Sequence, residues 1–265
     1  NFTNNQDLLT ALALTSQTGD VDMAAAYGIT EFPQHNINEV FTATIEGVDI
    51  TFKVKSTTTV QVGDGNNAAV ESGVTNVVIP ETVDGFKVSS VGYRAFNGTQ
   101  VESVWLPNTI RQIDTEAFYS VGQLKTLNIP ESVTEIEANA ISYCNLKELH
   151  IPKGVDLIAE SAFNNLEALE TVTVDKDNPR YSSSENSNAI IEPATKTLIF
   201  GISTIPQGIE RLGEKCFLGS PLETITIPNS LKVIGTQAFM LCANLKQINF
   251  PEGLENIQNN AFYNC

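Results

Sequence analysis

Basic residues are scarce in this 265-residue chain: 15 Lys and Arg face 31 Asp and Glu, for a net charge of −16. Nucleic acids and anionic membrane surfaces are held by clustered cations, so this balance argues against both and favours solubility instead. Long apolar runs are also missing. None approaches the roughly 18 residues of a membrane span, which argues against membrane insertion by this segment, and no charged-then-apolar leader is present. The chain starts at Asn1 without Met, as a processed or trimmed form would, and a removed export signal would leave no trace. Histidine is limited to His35 and His150, neither with His or Cys at metal-ligand spacing. The four cysteines, Cys144, Cys216, Cys242 and Cys265, match no C-x-x-C pattern.

What is present is repetition. Leu124 to Ile141 and Leu222 to Phe239 superimpose without a gap, and the Pro that closes each apolar segment recurs at Pro80, Pro107, Pro130, Pro152, Pro206, Pro228 and Pro251. The steps are 27, 23, 22, 54, 22 and 23 residues. A period of 22–23 residues implies a solenoid, in which no unit buries its apolar face alone. The step of 27 carries an extension near Asp84 to Lys87. The step of 54 hides a further unit that begins Leu169-Glu-Thr-Val172-Thr-Val174, with Asp175 where Pro is expected. Turn formers from Asp175 to Asn188 and two apolar runs, Ala189 to Ile191 and Thr197 to Phe200, predict a hairpin inserted near 175–203.

The fold class expected is therefore mainly β with little helix: about eight units over residues 74–265, each giving a short strand that stacks in parallel on the next. Leu-x-x-Leu-x-Ile-Pro has period-2 spacing, with Leu127 and Ile129 inward and Pro ending the strand. Val-x-x-Ile-x-x-x-Ala-Phe returns the chain on the opposite side, with Phe96, Phe118, Phe163, Phe217, Phe239 and Phe262 as core filling and Ile141 replacing Phe once. Residues 1–73 are read as a small N-terminal α+β cap. Asp7 to Tyr27 suits one or two helices broken at Gly19, and Val40–Ile45 with Val48–Val54 forms a hairpin across Glu46-Gly47. The other end closes on an apolar unit, whose face calls for more chain or another cover. Cys144, Cys242 and Cys265 share one place in their repeats and are read as stacked thiols; a Cys242–Cys265 disulfide is the alternative.

The consensus Leu-x-x-Leu-x-Ile-Pro-x-x-Val-x-x-Ile-x-x-x-Ala-Phe-x-x-Cys, as in Leu222 to Cys242 and Leu245 to Cys265, resembles the BspA-type (Treponema-like) leucine-rich repeats of bacterial surface proteins. The resemblance covers about 190 residues and extends to Asp175-x-x-Asn-Pro-x-Tyr181 and to the lead-in at Phe41. It implies a leucine-rich-repeat solenoid on an exported or lipid-anchored protein at the outer cell surface, with adhesion to host matrix proteins or other cells described for some members. It transfers no catalytic residue and no ligand.

Chemistry needs a constellation, and the sequence offers none. Carboxylates are scattered through turns, and Asp175-Lys-Asp-Asn lacks the Gly and distal Glu of a calcium loop. No enzyme activity, cofactor or metal is expected. The candidate is instead the outward strand stripe: Ser103 and Trp105, Thr126 and Asn128, Glu148 and His150, Thr171 and Thr173, Thr224 and Thr226, Gln247 and Asn249. At about 4.8 Å per unit, eight units would give a face roughly 35 to 40 Å long. Trp105 would anchor a protein or a sugar there; the competing reading packs it on the leading block. The expected role is a non-enzymatic binding or adhesion module for an unidentified protein or glycan of the host or a neighbouring cell. The alternative is a structural spacer that presents or anchors something else.

Overall fold

A computed structural model describes residues 35–183 and 188–265, which belong to one compact unit, His35–Cys265. The helices expected over Asp7 to Tyr27 lie outside the described residues. Among the described residues every regular element is a strand, arranged as a solenoid.

Each full turn contributes to three parallel ladders. The strand face carries Asn76–Val78, Ser103–Trp105 and Thr126–Leu127, then Glu148–Ile151 with Thr171–Val174. The return segment divides in two rather than running as one side. Its first part forms the longest sheet, Phe86–Val91, Gln112–Ile113, Glu135–Ile136 and Leu157–Ile158. Its second part aligns Phe118–Tyr119, Ile141–Ser142 and Phe163–Asn164. The split follows from the Ile-x-x-x-Ala-Phe spacing, because the residue two before the Phe place adopts a left-handed turn. Arg94, Glu116, Asn139, Lys215, Gln237 and Asn260 all have φ between 54° and 58°. A second left-handed residue stands two after it, at Gly98, Ser120, Tyr143, Asn165, Gly219, Leu241 and Asn264. These two bends turn the chain at the corners that bracket the aromatic side.

Inside, aromatic rings stack turn upon turn. Phe96 and Phe118 lie 5.1 Å apart at 2°, Phe217 and Phe239 5.2 Å at 1°, and Phe239 and Phe262 5.2 Å at 7°. In-register stacking places one ring over the next at the solenoid rise, and the rings are buried except at the last turn. The cysteines sit as stacked free thiols: Cys144, Cys242 and Cys265 donate to the carbonyls of Phe118, Phe217 and Phe239 at 3.0, 3.1 and 3.0 Å. The disulfide alternative is not what the structure holds. Burial pushes the Cys144 thiol up to about 12, so it is inert as a nucleophile.

The end of the array nearest residue 35 is closed by sheet extension. Val40–Ile45, Val48–Val54 and Thr59–Val62 form an antiparallel meander, and Thr59–Val62 pairs in parallel with Phe86–Val91. Ile50, Phe52, Val54, Val60 and Val62 are fully buried by it. At the other end Phe250, Ile257 and Tyr263 remain exposed.

The insertion interrupts the solenoid without breaking it. Ala189–Glu192 and Thr197–Gly201 form an antiparallel hairpin, and Thr197–Gly201 restarts the long ladder with Arg211–Leu212, Val233–Ile234 and Asn256–Ile257. Side chains replace the lost backbone pairing. The Ile158 N–H donates to the Tyr181 hydroxyl at 2.9 Å, and the Glu160 carboxylate accepts from the Glu214 N–H and the Arg211 guanidinium, both at 2.9 Å. The Asn178 amide reaches back to the Pro152 and Val155 carbonyls at 3.0 and 2.9 Å. The apolar core divides into two clusters at this splice, where a cavity of about 60 Å³ lies between Leu166, Leu169, Phe200, Phe217 and Leu218.

Candidate binding face

The side chains that alternate with the stripe fill the core: Val77, Val104, Leu149, Ile151, Val172, Val174, Ile225 and Ile227 are buried. The stripe therefore points out. Of its twelve members, ten are exposed and two, Ser103 and Asn128, are intermediate. Trp105 stands 59% exposed on the strand face.

The face is less continuous than the repeat alone suggests. Ladder pairing joins Asn76–Val78, Ser103–Trp105 and Thr126–Leu127 in one block, Glu148–Ile151 and Thr171–Val174 in a second, and Thr224 with Gln247 by a single bridge in a third. Asn128 ends the pairing within the first block. Its side-chain amide accepts from the Leu106 N–H at 2.7 Å and donates to the Leu106 carbonyl at 2.8 Å, so it takes over the ladder bonds of the turn before. The inserted hairpin separates the second block from the third. Charge pairing follows the same blocks, with Lys125 on Glu102 at 2.8 Å, Lys147 on Glu170 at 3.2 Å and Lys246 on Glu223 at 2.8 Å. Each pair is exposed and worth little in stability, but together they cancel the charge along the first edge of the face.

Within the blocks, neighbours hold one another. The Ser103 hydroxyl donates to Asn76 Oδ1 at 2.6 Å, and His150 Nδ1 and Thr173 Oγ1 lie 3.0 Å apart. Thr126 stands beside Ser103, and Glu148 beside Thr171, in register. Gln247 Nε2 is 3.4 Å from Asn249 Oδ1. Asn76 and Val78 complete the first block and were missed in the sequence reading, because the Pro80 unit opens on Val74 rather than Leu; the spacing Val77-x-Ile79-Pro80 was the signal. Val78 lies in register beside Trp105 and is 38% exposed.

Among the described residues no group of three His, Cys, Asp or Glu side chains is placed to hold a metal ion. No described helix is long and apolar enough to cross a membrane. At Asp175 to Asn178, Asp175 Oδ1 accepts from the Asp177 N–H, and Asn178 Oδ1 from the N–H groups of Arg180 and Tyr181.

A turn of this length, with a short outward strand and an inward aliphatic and aromatic column, defines a leucine-rich-repeat solenoid. Residues 89–191 and 198–265 match the BspA type leucine-rich repeat region in six copies, and the chain belongs to that family. Among solved structures, the pneumococcal vaccine antigen PcpA superposes with a TM-score of 0.62 at 21% identity, over 86% of this chain and 74% of that one. A leucine-rich repeat protein from Eubacterium ventriosum gives 0.48 at 18% identity, over 80% and 72%. A leucine-rich cell surface protein from Faecalibacterium prausnitzii gives 0.38 at 19%, over 84% and 86%. The likeness to PcpA is one of fold. No curated protein matches the chain.

Proposed function

We propose that this solenoid is a non-enzymatic binding module displayed outside a bacterial cell, and that its strand face recognises a protein or glycan of a host or neighbouring cell. The observation that carries the reading is the outward stripe: twelve polar or aromatic side chains on a rigid β scaffold, none of them spent on the core. Rigid presentation lowers the ordering cost of binding. The family fits display at a surface, and the acidic balance suits solubility there. Purified protein would be screened on extracellular matrix proteins, whole cells and glycans beside a Trp105→Ala/His150→Ala variant. Saturable binding lost in the variant is the expected result; equal binding by both proteins would remove this face from consideration. Protease treatment of intact cells should strip the protein from the surface.

A second reading, a spacer that presents another part of a larger assembly, is favoured by how many stripe groups bond within the array, as Ser103 with Asn76, Asn128 with Leu106 and His150 with Thr173 do. A screen blank for every ligand class would select it.

A further inference from the structure

The block nearest the meander differs from the rest of the strand face. Trp105 and Val78 lie side by side in register as exposed apolar surface. Ser103, Asn76, Thr126 and Asn128 surround them with hydroxyls and amides. The flanking groups are already fixed, Ser103 on Asn76 at 2.6 Å and Asn128 on the Leu106 backbone at 2.7 and 2.8 Å.

Charge narrows the ligand. The protein carries −16 overall, yet along the first edge of this face three carboxylates and three ammonium groups cancel in pairs. The block itself holds no charged side chain between Asn76 and Val78, between Ser103 and Trp105, or between Thr126 and Asn128. A neutral strip on an acidic protein matches a neutral ligand and repels polyanions.

Composition narrows it again. Anchors of protein interfaces are Trp, Tyr and Arg sunk in desolvated centres, where Ser, Thr and Val are under-represented. Here the Trp stands proud beside Ser103, Thr126 and Val78, with Asn76 and Asn128 completing the border. An exposed ring bordered by hydroxyl and amide groups suits a pyranose instead, whose C–H face stacks on the ring while its hydroxyls exchange hydrogen bonds around it. Three strands at about 4.8 Å spacing give a platform of roughly 10 Å, enough for about two sugar rings.

On the reading of the strand face as a binding surface, we infer that its first block, Asn76–Val78 with Ser103–Trp105 and Thr126–Asn128, is a subsite for a neutral oligosaccharide stacked on Trp105. Trp105 is the sole tryptophan of the sequence, so intrinsic fluorescence reports on this subsite alone. The full chain would be titrated with neutral gluco-, manno-, galacto- and N-acetylglucosamine oligosaccharides, with sialylated and sulfated glycans as the acidic counterparts. Expected is a saturable blue shift with protection from acrylamide quenching for a neutral ligand, and affinity measured by calorimetry that falls about tenfold in Trp105→Ala and is partly retained in Trp105→Phe. Tyr263→Phe, at an exposed ring outside the stripe, should bind as the parent does. Binding restricted to acidic glycans, neutral-glycan binding that leaves the emission and the Trp105→Ala affinity unchanged, or no response to any oligosaccharide would each overturn the subsite. Loss of a protein ligand in Trp105→Ala, with no glycan bound, would overturn the sugar assignment while leaving the binding face in place.

Discussion

Tyr181→Phe removes one oxygen and tests how the solenoid survives its insertion. The ring is 3% exposed and Phe keeps its packing, so the substitution isolates the hydroxyl. That hydroxyl accepts the Ile158 N–H at 2.9 Å, at the place where the long ladder stops and the next strand would supply a carbonyl. Ile158 is buried, so in the variant its N–H is left without a partner. An orphaned buried donor costs about 1–3 kcal/mol, which for a chain of this size lowers Tm by roughly 2–12 °C. Thermal and urea denaturation would give the magnitude, and hydrogen exchange its place: protection of the Ile158 amide should fall more than that of Ile113, deep in the same ladder. Tyr263→Phe, at a 54% exposed ring, should stay within about 0.5 kcal/mol of the parent. A Tyr181→Phe protein as stable as the parent, with unchanged exchange at Ile158, would refute the idea that a side chain substitutes for the missing strand.

Leu241 holds φ of 63° at a place filled by Gly98 and Gly219 in other turns; Leu241→Gly relieves about 1–2 kcal/mol of left-handed strain and returns part of it as unfolded-state entropy, so a gain of up to about 1 kcal/mol in denaturation is expected. A loss would show that its side chain matters more than its backbone. Gly154→Ala should destabilise by about 3 kcal/mol or more, because the added Cβ would lie 2.0 Å from the Glu131 carbonyl oxygen of the turn before, whereas Gly122→Ala meets nothing within 4 Å and should be near neutral. His35 is stacked on Phe41 at 3.9 Å and bonded to Glu39 at 2.8 Å and Asp84 at 3.3 Å. The bond to Glu39 foremost raises the imidazole pKa, while the Asn36 N–H, followed by His35, lowers that of Glu39. The imidazolium therefore stabilises fully below its ordinary value of about 6.5 and fades as pH rises through its raised value, and the carboxylate stabilises above about 4.5 and fades as pH falls. The stability difference between the parent and His35→Gln should be larger at pH 5.5 than at pH 8.5, and a difference independent of pH would disprove the ion pair.

The repeat made the solenoid legible because its signal is redundant. Seven Pro positions and six Phe positions report one period, so an irregular unit does not hide the rest. The Val40–Ile45 and Val48–Val54 strands were legible for a local reason, as the turn between them is built from Glu46 at φ 50° and Gly47 at φ 83°, the backbone a tight hairpin requires. Asn128 was harder. Its place in the pattern is that of Trp105 and His150, yet its short amide folds back onto Leu106 and becomes part of the ladder. The bridging roles of Glu160 and Tyr181 were not legible, although Tyr181 stood out as part of a motif, since nothing in their local sequence says that a strand will be missing beside them.

What the sequence determined by itself is the period, the inward column and the set of residues that face out, because alternation along a strand and recurrence along the chain are local properties that no long-range contact can reverse without exposing the core. What the tertiary structure decided is how those outward residues are grouped. The strand face is grouped into three blocks, the third set apart by the inserted hairpin, and within the first block the Asn128 side chain takes the place of backbone pairing to Leu106, beside an exposed Trp105. Both outcomes depend on which groups meet across turns some 22 residues apart, a matter of geometry in space that spacing along the chain does not contain.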